Sequence, residues 1–247
     1  MQQAREMVQN GELGEINAIR AFYIQGWLSA PGSKAATRSK RSGAPTPASP
    51  ASRAASAISA HAYNLGRYIS GLLPKEISCH LKAFEPGRPL DDYGTAIIRY
   101  ENGALGTVTA SQITHGREND VWVEIDGTKA SLEWHQENPN VMIVRKNGEP
   151  QKIYTCGRGT GRSASCAGHD PHFPGASGRL PRSVCEHLRG CVRRDGEACG
   201  RREVRGLEHR VSNVYDGVEG HAVYPRCVEG NKQNGGWLPF HHAKSRK

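Results

Sequence analysis

Aromatic residues are scarce in this 247-residue chain, at 6%, and hydrophobic residues together reach only 36%. That is low for a soluble enzyme, although the length admits one large domain or two small ones. No apolar run approaches the roughly 18 residues that a membrane-crossing helix needs. Met1 to Gln9 is polar and amphipathic, unlike a secretory leader. The seven cysteines include no Cys-x-x-Cys pair, the usual spacing of structural zinc. The expectation is a cytoplasmic chain with reduced thiols. No Gly-x-Gly-x-x-Gly follows a strand. Gly157-x-Gly159-x-Gly161 comes nearest, with neither a following helix nor a supporting acidic residue.

What is abundant is positive charge, with a net of +9, but it is unevenly spread. Residues 33–60 hold five Lys or Arg and no acid. Residues 156–212 hold eleven Arg, six acids and no Lys. Each segment is therefore +5, and the rest is near neutral. Both lack apolar periodicity and read as disordered insertions. Cys185, His187, Cys191 and Cys199 lie in the second without metal-ligand spacing, so no metal is expected. Arg193-Arg194 and Arg201-Arg202 could meet phosphate, but no aromatic residues interleave them. A nucleic-acid partner is the weakest reading.

The remainder is patterned. Residues 2–9 read as a helix, Asn10 to Gly14 as a turn and Glu15 to Tyr23 as a strand. His61 to Leu73 is a helix by its apolar spacing. Strands follow over 76–84, 93–101, 104–113, 120–126, 130–134, 141–145 and 152–155, with Asn102-Gly103 and Asn147-Gly148 as hairpin turns. A helix over about 213–229 and a short strand at 237–240 close the chain. The fold class is α+β: an open, mainly antiparallel β-sheet with helices on one face, with disordered insertions. The segments are 1–32, 33–60, 61–155, 156–212 and 213–247.

Seven short motifs carry a family resemblance: Gly11-Glu12-Leu13-Gly14-Glu15-Ile16, His61-Ala62-Tyr63-Asn64-Leu65, Gly87-Arg88-Pro89-Leu90-Asp91-Asp92-Tyr93, Glu101-Asn102-Gly103-Ala104, Ser111-Gln112, Leu132-Glu133-Trp134 and Lys232-Gln233-Asn234-Gly235. In this order and spacing they resemble the C-terminal domain of Gfo/Idh/MocA oxidoreductases. The resemblance implies an α/β domain that supplies substrate contacts and an oligomer interface. It also implies that an N-terminal Rossmann domain, which binds NAD or NADP, is missing here. A chain of this kind is expected to bind no dinucleotide tightly and to be inactive alone. Its small-molecule partner in the intact family is a sugar or polyol. The expected assembly is a homo-oligomer through the sheet, with no membrane partner. A non-enzymatic interaction domain is the alternative.

The resemblance also bears on the two odd segments. The family reads G-S-L-G-D-I-G-T-H-A-Y-N where this chain reads Ala55-Ser56-Ala57-Ile58-Ser59-Ala60-His61-Ala62-Tyr63-Asn64. With suitable codons, a neighbouring frame through residues 51–60 encodes L-A-G-S-L-G-D-I-G. Neighbouring frames through Ala176 to Gly190 and His221 to Pro225 encode H-P-E-G-Y-L-E-A-F-A-N-I-Y-A-D and M-R-F-I-R. The expectation is that compensating frameshifts interrupt the coding DNA.

The resemblance places the family's active-site histidine at His61. An imidazole can orient or deprotonate a substrate hydroxyl. The motif's Asp four residues earlier is Ala57 here, which weakens such a base. The plain alternative is a helix histidine without function. Gln112, Glu118 and Trp134 match substrate-facing positions, where amide, carboxylate and indole suit a sugar. Ordinary sheet surface and core is the competing reading for each.

Overall fold

The Asn102-Gly103 turn closes a hairpin in which Tyr93 pairs with Ser111 and Arg99 with Leu105. Asn102 fastens this turn to the molecule: its Oδ1 accepts the Ala104 N–H at 3.1 Å, and its Nδ2 donates to the Ile16 carbonyl at 3.0 Å. The computed structural model describes residues 1–29, 54–86, 88, 90–155 and 214–240. Most of 33–60, all of 156–212 and the thiols within them lie outside the described residues.

Helix α1 spans Gln2–Gln9 and strand β1 Ile16–Ile24. Helix α2 spans Ala54–Ser70. Strands β2 (Pro74–Lys82), β3 (Tyr93–Tyr100), β4 (Leu105–Ser111), β5 (Asp120–Gly127), β6 (Ala130–His135), β7 (Val141–Lys146) and β8 (Lys152–Thr155) follow. Helix α3 (Val214–Lys232) and strand β9 (Leu238–Pro239) end the described chain. The nine strands form one sheet in the order β8-β7-β6-β5-β1-β4-β3-β2-β9. The pair β1–β4 is parallel and the other neighbours are antiparallel. This is the open, mainly antiparallel α+β sheet that the sequence predicts.

Period-2 alternation sends one row of each strand toward the helices. Ile19, Val123, Ile125, Leu132, Val144 and Ile98 are all at most 2% exposed. They form the core with Ala62, Tyr63 and Ile69 of α2 and Val223 of α3. Each fully buried aliphatic side chain contributes about 1.5–3 kcal/mol. The opposite face carries a charge ladder: Arg20 meets Glu124 and Asp126, each at 2.6 Å, and Arg145 meets Glu133 at 2.6 Å.

Several boundaries differ from expectation, those of α2 and β2 among them. Helix α2 begins at Ala54, inside the segment expected to lack order, and it ends at Ser70, before Leu73. The run Ala54-Ala55-Ser56-Ala57 favours helix without any apolar periodicity. The stop is Gly71, at φ 73°, the left-handed residue that commonly terminates helices. Strand β2 ends at Lys82 rather than Phe84, because the Phe84 and Glu85 N–H groups turn to the Asp92 carboxylate.

Helix α3 is tied to α2 through a shared carboxylate. Glu219 Oε1 accepts the Tyr63 hydroxyl at 2.8 Å and Arg67 Nε at 2.9 Å. Burial, and then the neighbouring Glu219 charge, push the Tyr63 phenol far above its ordinary range, so it stays a neutral donor. Pro225 lies inside α3, where it removes a backbone donor.

Candidate functional site

Strands β1 and β4 run parallel and finish together, with Ile24 paired to Ser111. The chain leaving β1 is held over the end of β4. Gln25 N donates to the Ser111 carbonyl at 2.8 Å, and Thr114 N donates to the Gln25 carbonyl at 3.0 Å. Gly26 permits the approach: a Cβ there would lie 2.3 Å from the Thr114 carbonyl oxygen. The sequence Gln25-Gly26-Trp27 is thereby folded against the segment from Ser111 to Asp120.

Four polar or aromatic side chains converge at this strand end. Tyr23 donates its hydroxyl to Asn119 Oδ1 at 2.7 Å. Gln25 Nε2 donates to the same oxygen at 2.7 Å and to the Tyr23 hydroxyl oxygen at 3.3 Å. Trp27 Nε1 donates to Gln25 Oε1 at 3.1 Å. The Asn119 amide NH2 donates to no described residue and remains a donor for an outside group. Burial raises the Tyr23 phenol above its ordinary value, against the opposing hydrogen bond to Asn119. Trp27 is 57% exposed, so its indole face is open to stacking.

His61 reaches the cluster from α2. Its ring stands edge-on to Tyr23, with centroids 5.9 Å apart and planes at 71°. It is exposed. The arrangement suits hydrogen bonding of hydroxyls, with an imidazole within reach of a proton.

The other sequence-derived positions fall at different distances from this cluster. Glu118 is exposed and directly precedes Asn119. Gln112 follows Ser111 but is only 4% exposed, and its backbone is a fastening point: its N–H donates to the Asp92 carbonyl and its carbonyl accepts Leu28 N, both at 2.9 Å. Trp134 lies across β5 from β1, in the row Ala21–Val123–Trp134. Its indole N–H donates to the Pro139 carbonyl at 3.1 Å, and its ring packs on the core. The structure therefore groups His61 with the neighbourhood of Glu118 and Gln112, and sets Trp134 apart.

Sequence reading missed Tyr23, Gln25, Trp27 and Asn119. The signal available was the i, i+2, i+4 spacing of Tyr23, Gln25 and Trp27, which continues the strand's face beyond its last apolar residue. Nothing local joins them to Asn119, 96 residues from Tyr23.

A family model for the GFO/IDH/MocA C-terminal domain matches residues 1–133. The chain belongs to this family. It is 32% identical over 151 residues to an uncharacterized oxidoreductase, YfiI, of Bacillus subtilis (strain 168), covering 60% of this chain and 38% of that protein. It is 29% identical over 164 residues to levoglucosan dehydrogenase of Pseudarthrobacter phenanthrenivorans, covering 57% and 40%. The chain thus spans about two-fifths of these curated relatives. Among solved structures, an inositol dehydrogenase homolog complexed with NAD+ from Azotobacter vinelandii superposes with TM-score 0.81 at 25% identity, over 96% of this chain and 61% of that one.

The described residues do not fit a dinucleotide. No strand among them runs through a glycine-rich turn into a helix N-terminus, the arrangement that seats a pyrophosphate. Nor do they hold a metal-binding cluster of His, Cys, Asp or Glu. No described helix is long and apolar enough to cross a membrane.

Proposed function

We propose that this chain is the substrate-side, C-terminal part of an NAD(P)-dependent sugar or polyol oxidoreductase and that it does not turn over substrate alone. The supporting observation is the Tyr23–Gln25–Asn119 network, with Trp27 beside it and His61 against Tyr23. Hydroxyl-rich ligands are recognised by fixed amides and phenols beside an open aromatic face. The relatives named for levoglucosan and inositol set the ligand class to test.

In this proposal His61 orients a substrate hydroxyl or takes its proton. Gln112 and Glu118 flank the contact region, while Trp134, two strands away, would meet only a ligand that extends beyond it. Hydride transfer would belong to a nicotinamide held outside the described residues. The test is calorimetric titration of the full chain with levoglucosan and with myo-inositol, beside an NADH assay at 340 nm. Binding of either polyol without NADH formation is expected. NADH formation would sink the inactivity claim, and heats no different from buffer would sink the site.

The same reading proposes that the coding DNA carries compensating frameshifts. Pro225 within α3 supports it, because an interior proline costs a helix about 3 kcal/mol, and the neighbouring frame replaces it with M-R-F-I-R. Resequencing the coding DNA tests this, since an uninterrupted frame through residues 33–60, 156–212 and 221–225 would contradict it. The buried free thiols Cys79 and Cys227 favour a cytoplasmic setting. Retention of the chain in an exported fraction would count against it.

A second reading, an oligomerisation module, is favoured by one observation. The face away from the helices exposes Ile97 by 41%, Leu105 by 52% and Ile153 by 59%. We propose that this face joins copies of the chain. Sedimentation equilibrium decides it, with a concentration-independent monomer as the contrary result.

A further inference from the structure

Leu28 directly follows Trp27 and is 2% exposed. Both of its backbone polar groups are held by residues far along the chain. Its N–H donates to the Gln112 carbonyl at 2.9 Å. Its carbonyl accepts Arg88 Nη2 at 2.6 Å. The other arm of Arg88, Nη1, donates to Asp92 Oδ2 at 2.9 Å. The Asp92 carboxylate is fully buried and also accepts Phe84 N at 2.9 Å and Glu85 N at 3.2 Å. The Asp92 carbonyl in turn accepts Gln112 N at 2.9 Å. Leu28, Arg88, Asp92 and Gln112 thus form a closed ring of contacts.

We propose that Arg88 is a positioning residue for the candidate site: braced by Asp92, it fixes the turn from Gln25 to Leu28 and so sets where the Gln25 amide and the Trp27 indole stand. The inference rests on the reading of that cluster as a polyol site. Burying a carboxylate is unfavourable unless its lone pairs are filled, and the loop from Phe84 to Asp92 fills them. Only then is the guanidinium held rigidly enough to fix a second partner. A guanidinium serves two acceptors at once through a planar fork, which a lysine ammonium on its flexible stem does not reproduce. The acceptor it reaches is a backbone carbonyl of the segment that carries Gln25 and Trp27, 60 residues away in sequence. Substituting that segment's side chains leaves this contact in place, whereas changing Arg88 releases it.

The experiment uses the full chain labelled with 5-fluorotryptophan, which reports its four tryptophans separately by 19F NMR. Trp27→Phe assigns the Trp27 signal. Arg88→Lys keeps a cation beside Asp92, so it retains the fold where Arg88→Ala could lose it. In R88K the Trp27 signal should shift, with those of Trp122, Trp134 and Trp237 unmoved. The levoglucosan dissociation constant should rise about tenfold, the scale of one lost fixed contact. An unmoved Trp27 signal in R88K overturns the proposal, and so does a common shift of all four signals. Failure of the unsubstituted chain to respond to levoglucosan sinks the polyol reading instead, and the Trp27 shift still decides whether Arg88 sets the turn.

Discussion

His61 and Tyr23 meet edge to face across the boundary between helix α2 and strand β1, with ring centroids 5.9 Å apart. Helix α2 packs on β1, with Gly66 over Ile19 and His61 at Tyr23 near the end where β1 and β4 stop together, so a helix residue and a strand residue face the same corner. Asn119 reaches this corner from the segment before β5 and accepts both the Tyr23 hydroxyl and the Gln25 amide.

Asn119→Ala should weaken levoglucosan binding about tenfold, roughly 1.4 kcal/mol, because it removes the common acceptor of the network and its outward donor. Calorimetric titration measures it. Equal affinity for both proteins would show that the network does not touch the ligand.

Gly26→Ala should destabilise the chain by about 1–3 kcal/mol, since its methyl would fall 2.3 Å from the Thr114 carbonyl oxygen and force the two segments apart. Urea denaturation gives the value, and a midpoint within error of the unsubstituted chain would refute the close approach.

Leu105→Asp should shift any self-association toward monomer, as Leu105 is 52% exposed on the sheet face away from the helices. Like-charged residues facing each other across a symmetric contact would repel. Sedimentation equilibrium of the two proteins at matched concentrations makes the comparison.

Acid stability should depend on Glu133. Desolvation raises its carboxyl, but hydrogen bonds from Arg145 and His135 outweigh this and hold it below the ordinary value. A depressed carboxyl contributes stability above its unfolded pKa of about 4.3 and loses it as pH falls through the lower folded value. Between about pH 5 and pH 3, the unsubstituted chain should therefore lose more stability than Arg145→Ala does. The difference should stay under about 1 kcal/mol, because Arg145 is half exposed. Thermal midpoints across this pH range test it, and parallel curves would contradict it.

Much of the sheet was legible because its signals are local. Alternation such as Val121, Val123, Ile125 names a strand and its buried face together. Asn102-Gly103 fixes a hairpin within a few residues. Gly71 was an equally local stop signal that the apolar spacing of Leu72 obscured. The start of α2 at Ala54 was hidden for another reason: alanine-rich helix needs no apolar period, so pattern alone cannot separate it from a linker.

The sequence by itself determined the strand set, the one-sided core and the family. Only the tertiary structure decided the candidate site. Joining Tyr23 to Asn119 depends on the pairing of β1 with β4 and β5, and joining Leu28 to Arg88 depends on a loop folded about a buried carboxylate. Strand identity follows from side-chain periodicity within a few residues, whereas which strand ends meet depends on burying the whole sheet face at once. No short stretch of sequence carries that information.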